Sequence, residues 1–218
     1  MRLSALIRPR PILRIASVVL AAAGLLALPG CWVYSTEPLY EEHLPKPDPD
    51  LIFDQTLVGS WGQVQNDCPW ILTILGNQQA FELTMAPGPE CKTEDKATRY
   101  EGHLVNLDKH RFLDIAAQSD DVCDLCLPLH TFLLVSQEND NLVLVPIDLD
   151  WMTQALTAKK VVLDHLQRKE SSHEVLIAHD AVVLTASSKE LKEFARKYAD
   201  DKAVFKSDSD ATLKFRRR

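Results

Sequence analysis

Seven short segments between residues 60 and 147 alternate apolar and polar side chains with a period of two. In the clearest of them, Phe81, Leu83 and Met85 alternate with Glu82 and Thr84. Such alternation is the pattern of a half-buried β-strand, because successive side chains point to opposite faces. Gly, Pro, Asn and Asp separate the segments, as expected for tight turns. The segments are SWGQVQ, WILTIL, AFELTMA, TRYEGHLVNL, RFLDIA, LHTFLLVS and NLVLVPI. The sequence therefore predicts a mainly β fold, with an antiparallel sheet that closes into a barrel or a sandwich.

Two segments nearer the C-terminus have a helical pattern instead. The first opens at Asp150, a candidate N-cap, and places Trp151, Ala155 and Leu156 on one stripe. The second opens with a capping box, Ser187–Glu190, followed by an amphipathic run. We expect one to three short helices toward the C-terminus, packed over a mouth or flank of the barrel.

The first 30 residues have the composition of an export signal. Arg2, Arg8, Arg10 and Arg14 precede IASVVLAAAGLLAL, a run of fourteen residues without a charge. That run is too short to cross a bilayer, since a spanning helix needs about 20 apolar residues. A basic start, a short apolar run and small residues at its end are typical of a secretory signal peptide. The sequence predicts that residues 1–30 are removed.

The end of this segment, Leu28-Pro29-Gly30-Cys31, resembles the lipobox of bacterial lipoproteins. The resemblance implies cleavage before Cys31 and acylation of its sulfur, as by palmitate, and of the new N-terminus. Each buried CH₂ contributes about 0.8 kcal/mol, so that two or more acyl chains hold a protein firmly on a membrane. Trp32 is not the aspartate associated with inner-membrane retention, which favours the outer membrane, facing the periplasm. The alternatives are an ordinary signal peptide or an uncleaved anchor with a chance cysteine.

The rest of the chain divides into three parts. Prolines at alternate positions mark residues 31–50 as an extended tether that lifts the domain off the lipid. Residues 51–206 carry the strand and helix patterns of one domain. Residues 207–218 end in three arginines and are interpreted as a solvated basic tail, with contact to phosphate as the alternative.

The mature chain is strongly acidic. Removal of the four N-terminal arginines lowers the basic residues from 24 to 20 against 31 acidic residues, so the net charge falls from −7 to −11. Such a charge repels nucleic acid and anionic head groups. We therefore expect no nucleic-acid partner.

Gly59-Ser60-Trp61 resembles the Gly-x-Trp near the first strand of lipocalins and of lipocalin-like bacterial lipoproteins. The resemblance implies an eight-stranded barrel in which Trp61 closes one end and the other end admits a small apolar ligand. On this interpretation Trp61 and His130 are the candidate ligand-binding residues. The alternative for Trp61 is a core aromatic without a ligand, and for His130 a core or barrel-lining group. Stretches from LIFDQTLVGSW to LTASSKELKEFARKYADDKAVF also resemble an uncharacterised group of predicted bacterial lipoproteins, which supports one continuous domain.

Four cysteines besides Cys31 are expected to form disulfides, since the chain is exported: Cys68, Cys91, Cys123 and Cys126. Three pairings are possible, and the positions of Cys68 and Cys91 at the ends of a predicted hairpin favour joining those two. Thiol redox chemistry at the C-x-x-C of Cys123 and Cys126 is one alternative. A zinc site of the cysteines, or of three cysteines with His130, is the other.

The sequence as a whole predicts a protein that binds rather than catalyses. It contains no nucleophile elbow, P-loop, dinucleotide fingerprint or zinc-protease motif. We expect no catalytic residue, metal or cofactor. The candidate partners are the membrane, through the lipid anchor, and either a small apolar ligand or an envelope protein. Bulky inward-facing residues would indicate a solid barrel that binds a protein, whereas small ones would leave a cavity.

Overall fold

The computed structural model describes residues 32–64, 68–76, 80–118, 129–168 and 181–218. Within these ranges the helices are α1 (Leu149–Thr157) and α2 (Ser188–Tyr198). The strands are β1 (Val33–Ser35), β2 (Leu51–Ile52), β3 (Gly59–Gln63), β4 (Trp70–Gly76), β5 (Phe81–Pro87), β6 (Thr98–Leu107), β7 (His110–Gln118), β8 (His130–Glu138), β9 (Asn141–Val145), β10 (His165–Arg168), β11 (Ala181–Leu184) and β12 (Leu213–Arg217).

Eight of these strands form a closed antiparallel barrel. From β3 to β9 each strand pairs with the next, and β12 lies between β9 and β3 and closes the ring. The seven segments with period-two alternation correspond to β3 through β9. The predicted mainly β fold, with a barrel of about eight strands and short helices toward the C-terminus, is confirmed.

The closing strand comes from the segment that was expected to be a solvated tail. β12 pairs with both of its neighbours, and its side chains alternate: Leu213 and Phe215 are buried, whereas Lys214 and Arg216 are exposed. The expectation for residues 207–218 is therefore wrong. Without this strand β3 and β9 would present two unpaired edges, which are costly to leave open.

The barrel wall forks at β8. The second half of β8, from Leu134, pairs with β9, whereas its first residue, His130, pairs with Ser35 of β1. β1 then pairs with β11 in parallel, and β11 with β10 in antiparallel orientation. These three strands form a side sheet that leaves the barrel at the fork.

The segment expected to be a tether is packed against the barrel. Trp32 is 4% exposed, and Leu39, Tyr40 and Asp48 are buried as well. Nζ of Lys192, on α2, lies 2.5 Å from a carboxylate oxygen of Asp48, so that the far end of the segment is held by the helix. The prediction of a spacer that lifts the domain off a membrane is wrong for the described part of the segment.

Both helices begin at side-chain caps. Asp148, two residues before the predicted Asp150, caps α1 by accepting the backbone N–H of Trp151 at 2.7 Å. Asp150 instead lies in the first turn, where a carboxylate is favourable next to the helix dipole. The predicted capping box of Ser187 and Glu190 is confirmed at α2.

A second apolar core lies outside the barrel, between its wall and the helices. Phe112 of β7 and Phe132 of β8 point outward into this core, which also contains Met152 of α1 and Phe194 of α2. The helices therefore cover the outer face around β6 to β8. On the other side, the outward side chains of β12, β3, β4 and β5 are exposed or half-buried.

Candidate functional site

Bulky apolar side chains fill the barrel interior. The predicted inward residues Phe81, Leu83 and Met85 are buried, and they belong to a cluster to which all eight barrel strands contribute. Its other barrel members are Trp61, Leu72, Ile74, Leu104, Leu113, Ile115, Leu133, Val135, Leu142, Leu144, Leu213 and Phe215. An eight-stranded barrel is just wide enough for side chains or for one small ligand. Residues of this size favour the solid barrel.

Trp61 closes the end of the barrel where β3 begins. Its side chain is fully buried, and its Nε1 donates to the carbonyl of Leu57 at 2.9 Å. The guanidinium carbon of Arg217 lies 4.2 Å from the centroid of the Trp61 ring. Arg217 also donates to the carbonyl oxygens of Thr56 and, at 3.1 Å, Val58. This cation–π stack seals the end.

Gly59 permits the stack. Its φ is +145°, and a Cβ at this position would lie 2.7 Å from a guanidinium nitrogen of Arg217. Any other residue would be strained at this φ, and the guanidinium of Arg217 would have to shift to admit its Cβ. The glycine and the tryptophan of Gly59-Ser60-Trp61 are thus both explained by the sealing of this end, without a ligand.

Trp32 completes the interior at the fork. Trp32 belongs to the interior cluster and Val33 to the outer core, so that β1 alternates as the barrel strands do. The hydroxyl of Thr131 on β8 donates to the carbonyl of Val33 at 3.0 Å. Since β9 leaves β8 beyond Val145, the indole of Trp32 occupies the side of the interior where the two strands diverge.

His130 lies on the outer face of the wall, together with Phe132, and does not share a site with Trp61. Its Nδ1 lies 2.7 Å from one carboxylate oxygen of Asp114, and the other oxygen accepts the backbone N–H of Leu39 at 2.7 Å. Burial alone would lower the pKa of His130, but the hydrogen bond and charge of Asp114 raise it above the usual value. The pair fastens the N-terminal segment to the barrel.

Tyr40 and His103 extend this polar cluster. Their ring centroids are 4.4 Å apart, and the Tyr40 hydroxyl donates to the carboxylate of Glu42 at 3.0 Å. Burial lowers the pKa of His103, and burial together with Glu42 raises the pKa of Tyr40. His103 is therefore biased toward the neutral form and His130 toward the charged form.

Ser35 stands beside His130 and Asp114, and sequence reasoning missed this juxtaposition. Ser35 is opposite His130 in the register of β1 and β8, so the three residue types of a hydrolase triad meet on one face. The Ser35 hydroxyl, however, donates to the carbonyl of Glu37 at 2.7 Å, and the residue is 1% exposed. A nucleophile must donate to its base and be open to substrate. The hydroxyl of Ser35 therefore bonds within the N-terminal segment, and the three side chains do not form the hydrogen-bond relay of a nucleophile.

The cysteines are only partly described. Cys68 and Cys91 form a disulfide with a Cα–Cα distance of 4.9 Å, which confirms the favoured pairing. It joins the β3–β4 connection to the β5–β6 connection. Cys31, Cys123 and Cys126 lie outside the described residues, so their predicted roles stay predictions.

The outer face of β12 carries positive charge next to a groove. Arg216 and Arg218 line a groove of about 370 Å³ together with Gly62, Ile71 and Glu90. Its other lining residues are Gln63, Val64, Pro69 and Arg217. The arrangement can bind an anionic group beside an apolar surface.

Two further features bear on the function classes. Within the described ranges, no group of three or more His, Cys, Asp or Glu side chains is placed to hold a metal ion. No helix in the same ranges is long and apolar enough to span a bilayer.

No family model, curated protein or solved structure matches the chain.

Proposed function

We propose that this chain is a lipid-anchored protein of the bacterial cell envelope, attached at Cys31 to the outer membrane and facing the periplasm. The signal-like residues 1–30 and the lipobox resemblance at Cys31 support the anchor. The disulfide between Cys68 and Cys91 fits an oxidising compartment outside the cytosol.

The position of Trp32 adds a constraint to this anchor. Consecutive Cα atoms are about 3.8 Å apart. Since Trp32 is buried in the barrel interior, acyl groups on Cys31 would begin next to the wall, with no spacer between them. The domain is therefore held against the bilayer rather than suspended above it.

Replacement of the acylated residue tests the anchor. For Cys31→Ser we expect loss of the acylated N-terminal peptide by mass spectrometry and an unprocessed chain that keeps residues 1–30. Fractionation alone is insufficient, because an uncleaved apolar segment also sediments with membranes. A wild-type chain that begins at Met1, or a mature chain without acyl groups, would overturn the proposal.

The domain acts by binding a protein partner through its outer surface, and the packed interior is the observation that carries this proposal. Trp61 and Arg217 seal one end, Trp32 fills the fork, and large side chains occupy the space between them. Binding of a small apolar ligand inside the barrel is less compatible with this packing.

Native mass spectrometry distinguishes the two modes of binding. The protein is released from membranes with detergent and exchanged into a volatile buffer, and the detergent is removed in the gas phase. We expect the spectrum to show the mass of the acylated chain alone. A small molecule that remains bound both to this protein and to the Cys31→Ser chain would favour the ligand-binding barrel. It would overturn the proposal of a solid barrel.

A thiol redox or zinc-binding protein is the alternative function. The pairing of Cys68 with Cys91 leaves Cys123 and Cys126 as a separate C-x-x-C pair. Counting free thiols in protein purified from an oxidising compartment tests this alternative. Two reduced thiols of low pKa, or bound zinc, would favour it, and a second disulfide without redox activity would exclude it.

A further inference from the structure

We propose that the outer face of β12 is a second membrane contact, in which Lys214, Arg216 and Arg218 bind phosphate groups of anionic lipids. The bilayer is the one to which Cys31 is attached, so this inference rests on the proposed function. The three side chains are called the cation row below.

The cation row is regular and exposed. Alternate residues of a strand point to the same face and are about 7 Å apart. Lys214, Arg216 and Arg218 are all exposed, whereas Arg217 between them turns to the Trp61 ring. In the described part of the chain none of the three forms an ion pair, although Arg111, Lys192 and Lys206 do. In a mature chain with 20 basic and 31 acidic residues the row is a local exception.

The groove beside the row has an apolar floor. Gly62 has no side chain, and the stem of Arg218 passes over it, with Cδ 3.3 Å from where a Cβ would lie. Ile71 and Val64 continue the floor, and Glu90 is the acidic residue in the lining. A guanidinium group fits phosphate in a bidentate manner. A phosphate on the arginines with its glycerol and first methylenes on the floor matches this surface.

The strand order places the cation row on the side of β8 that also carries β1. β12 neighbours β9, β9 neighbours β8, and β8 pairs with β1, whose first residue follows Trp32. Neighbouring strands are about 4.8 Å apart, so β12 lies about 15 Å from β1 when counted around the wall. Along the wall, Lys214 is level with Ser136 and Arg216 with Glu138, six and eight residues from the β1 contact at His130. The cation row therefore extends along the barrel away from the anchor, and it reaches the lipid head groups when this flank of the barrel lies along the bilayer.

Chemical labelling of lysines tests the contact in the acylated protein. The purified mature protein is reconstituted in vesicles of phosphatidylcholine alone or with phosphatidylglycerol and treated with an amine-acetylating reagent. We expect acetylation of Lys214 to slow by about fivefold in the anionic vesicles relative to the neutral ones. Lys202, which is exposed after α2, should react equally in both. Salt at about 1 M should remove the difference at Lys214.

The double variant Arg216→Gln, Arg218→Gln should lose the protection of Lys214, whereas Lys189→Gln, Lys197→Gln on α2 should keep it. Arg217 is unchanged in both, and unfolding midpoints confirm that both are folded. Equal acetylation of Lys214 in the two kinds of vesicle overturns the inference. Protection in native membranes but not in anionic vesicles also overturns it, because the partner is then an acidic protein. Failure of the anchor is a separate outcome, in which the protein leaves neutral vesicles altogether.

Discussion

Arg217 stabilises the barrel through its contacts with Trp61 and with two carbonyl oxygens. Arg217→Gln removes the cation–π stack and the hydrogen bonds to Thr56 and Val58. We expect the free energy of unfolding to fall by about 2–3 kcal/mol. The matched control is Arg216→Gln, one residue away on the exposed face, which should change it by less than about 0.5 kcal/mol. Urea unfolding followed by circular dichroism measures both, and equal losses would contradict the role of Arg217.

The buried His130 and the half-buried His103 should respond to pH in opposite directions. Asp114 raises the pKa of His130 in the folded chain. The contribution of His130 is therefore fully present below the ordinary histidine pKa of about 6.5 and is lost as the pH rises through its folded pKa. The stability difference between wild type and His130→Gln should be larger at about pH 5.5 than at about pH 8.5.

His103 provides the matched comparison. Burial lowers its pKa, so its neutral form is favoured and its contribution is lost as the pH falls below the ordinary value. The difference between wild type and His103→Gln should accordingly be smaller at the lower pH. Chemical denaturation of the three proteins at both pH values provides the data. If the stability difference from wild type changes with pH in the same direction for both variants, the environments of the two histidines are wrongly assigned.

The position or pairing of a single residue could be predicted where it depends on nearby sequence. The Gly-x-Trp resemblance placed Trp61 at the closed end, and hairpin geometry favoured Cys68 with Cys91. The partners of Trp61 and His130 could not be predicted, because they are set by the register in which distant strands pair. Asp114 is 16 residues from His130, and Arg217 reaches Trp61 only because β12 closes the ring. No spacing in the sequence encodes these contacts.

At the level of elements, one buried ion network joins α2 to the N-terminal segment. Nζ of Lys192 contacts Asp48 and, at 2.8 Å, Asp50, to which Arg196 also binds. Burial alone would raise the pKa of Asp48, but Lys192 and two backbone N–H groups lower it. The segment is thereby fixed at a second point, 13 residues after the end of β1.

Removal of the lysine charge should release this segment. Lys192→Met leaves the carboxylate of Asp48 buried without its cation, which costs about 3 kcal/mol. Limited proteolysis should then cleave within the exposed residues 42–47 well before the rest of the domain. Lys189→Met, on an exposed position of the same helix, is the control. Unchanged cleavage and stability in Lys192→Met would show that the network does not hold the segment.

β12 and the packed N-terminal segment were not predicted from the sequence, and the same cause explains both. β3 to β9 alternate clearly because half of their residues enter a core. β12 has the same alternation in Leu213 and Phe215, but its charged neighbours resemble a tail. The prolines of the N-terminal segment indicate an extended chain, which is observed, but only burial of Leu39 and Tyr40 decides whether such a chain is free. Burial depends on the whole fold and is not a local property.

At the scale of the whole molecule, the disulfide restrains the connections at one end of the barrel. Closing a loop across a sequence separation of 23 residues stabilises the fold by about 3 kcal/mol in the chain-entropy estimate. The double variant Cys68→Ser, Cys91→Ser should lose about this free energy of unfolding. The free energy of unfolding of the wild type and of this variant is measured with and without reductant. The comparison separates the contribution of this disulfide from that of the other cysteines. A variant as stable as the oxidised wild type would contradict the estimate.

Trp32 decides whether the barrel and the anchoring end of the chain form one body. In an extended tether, Trp32→Ala would cost no more than a surface substitution. As an interior residue at the fork, Trp32 should cost about 3–5 kcal/mol when truncated, since the barrel cannot collapse into the space that the indole leaves. Leu44→Ala, in the exposed part of the same segment, should change the free energy of unfolding by less than about 0.5 kcal/mol. Urea unfolding of the two variants makes the comparison. Similar small losses would mean that the segment is free of the wall and that the barrel can sit away from the bilayer, whereas a large loss for Trp32 alone requires the barrel to move with its anchor.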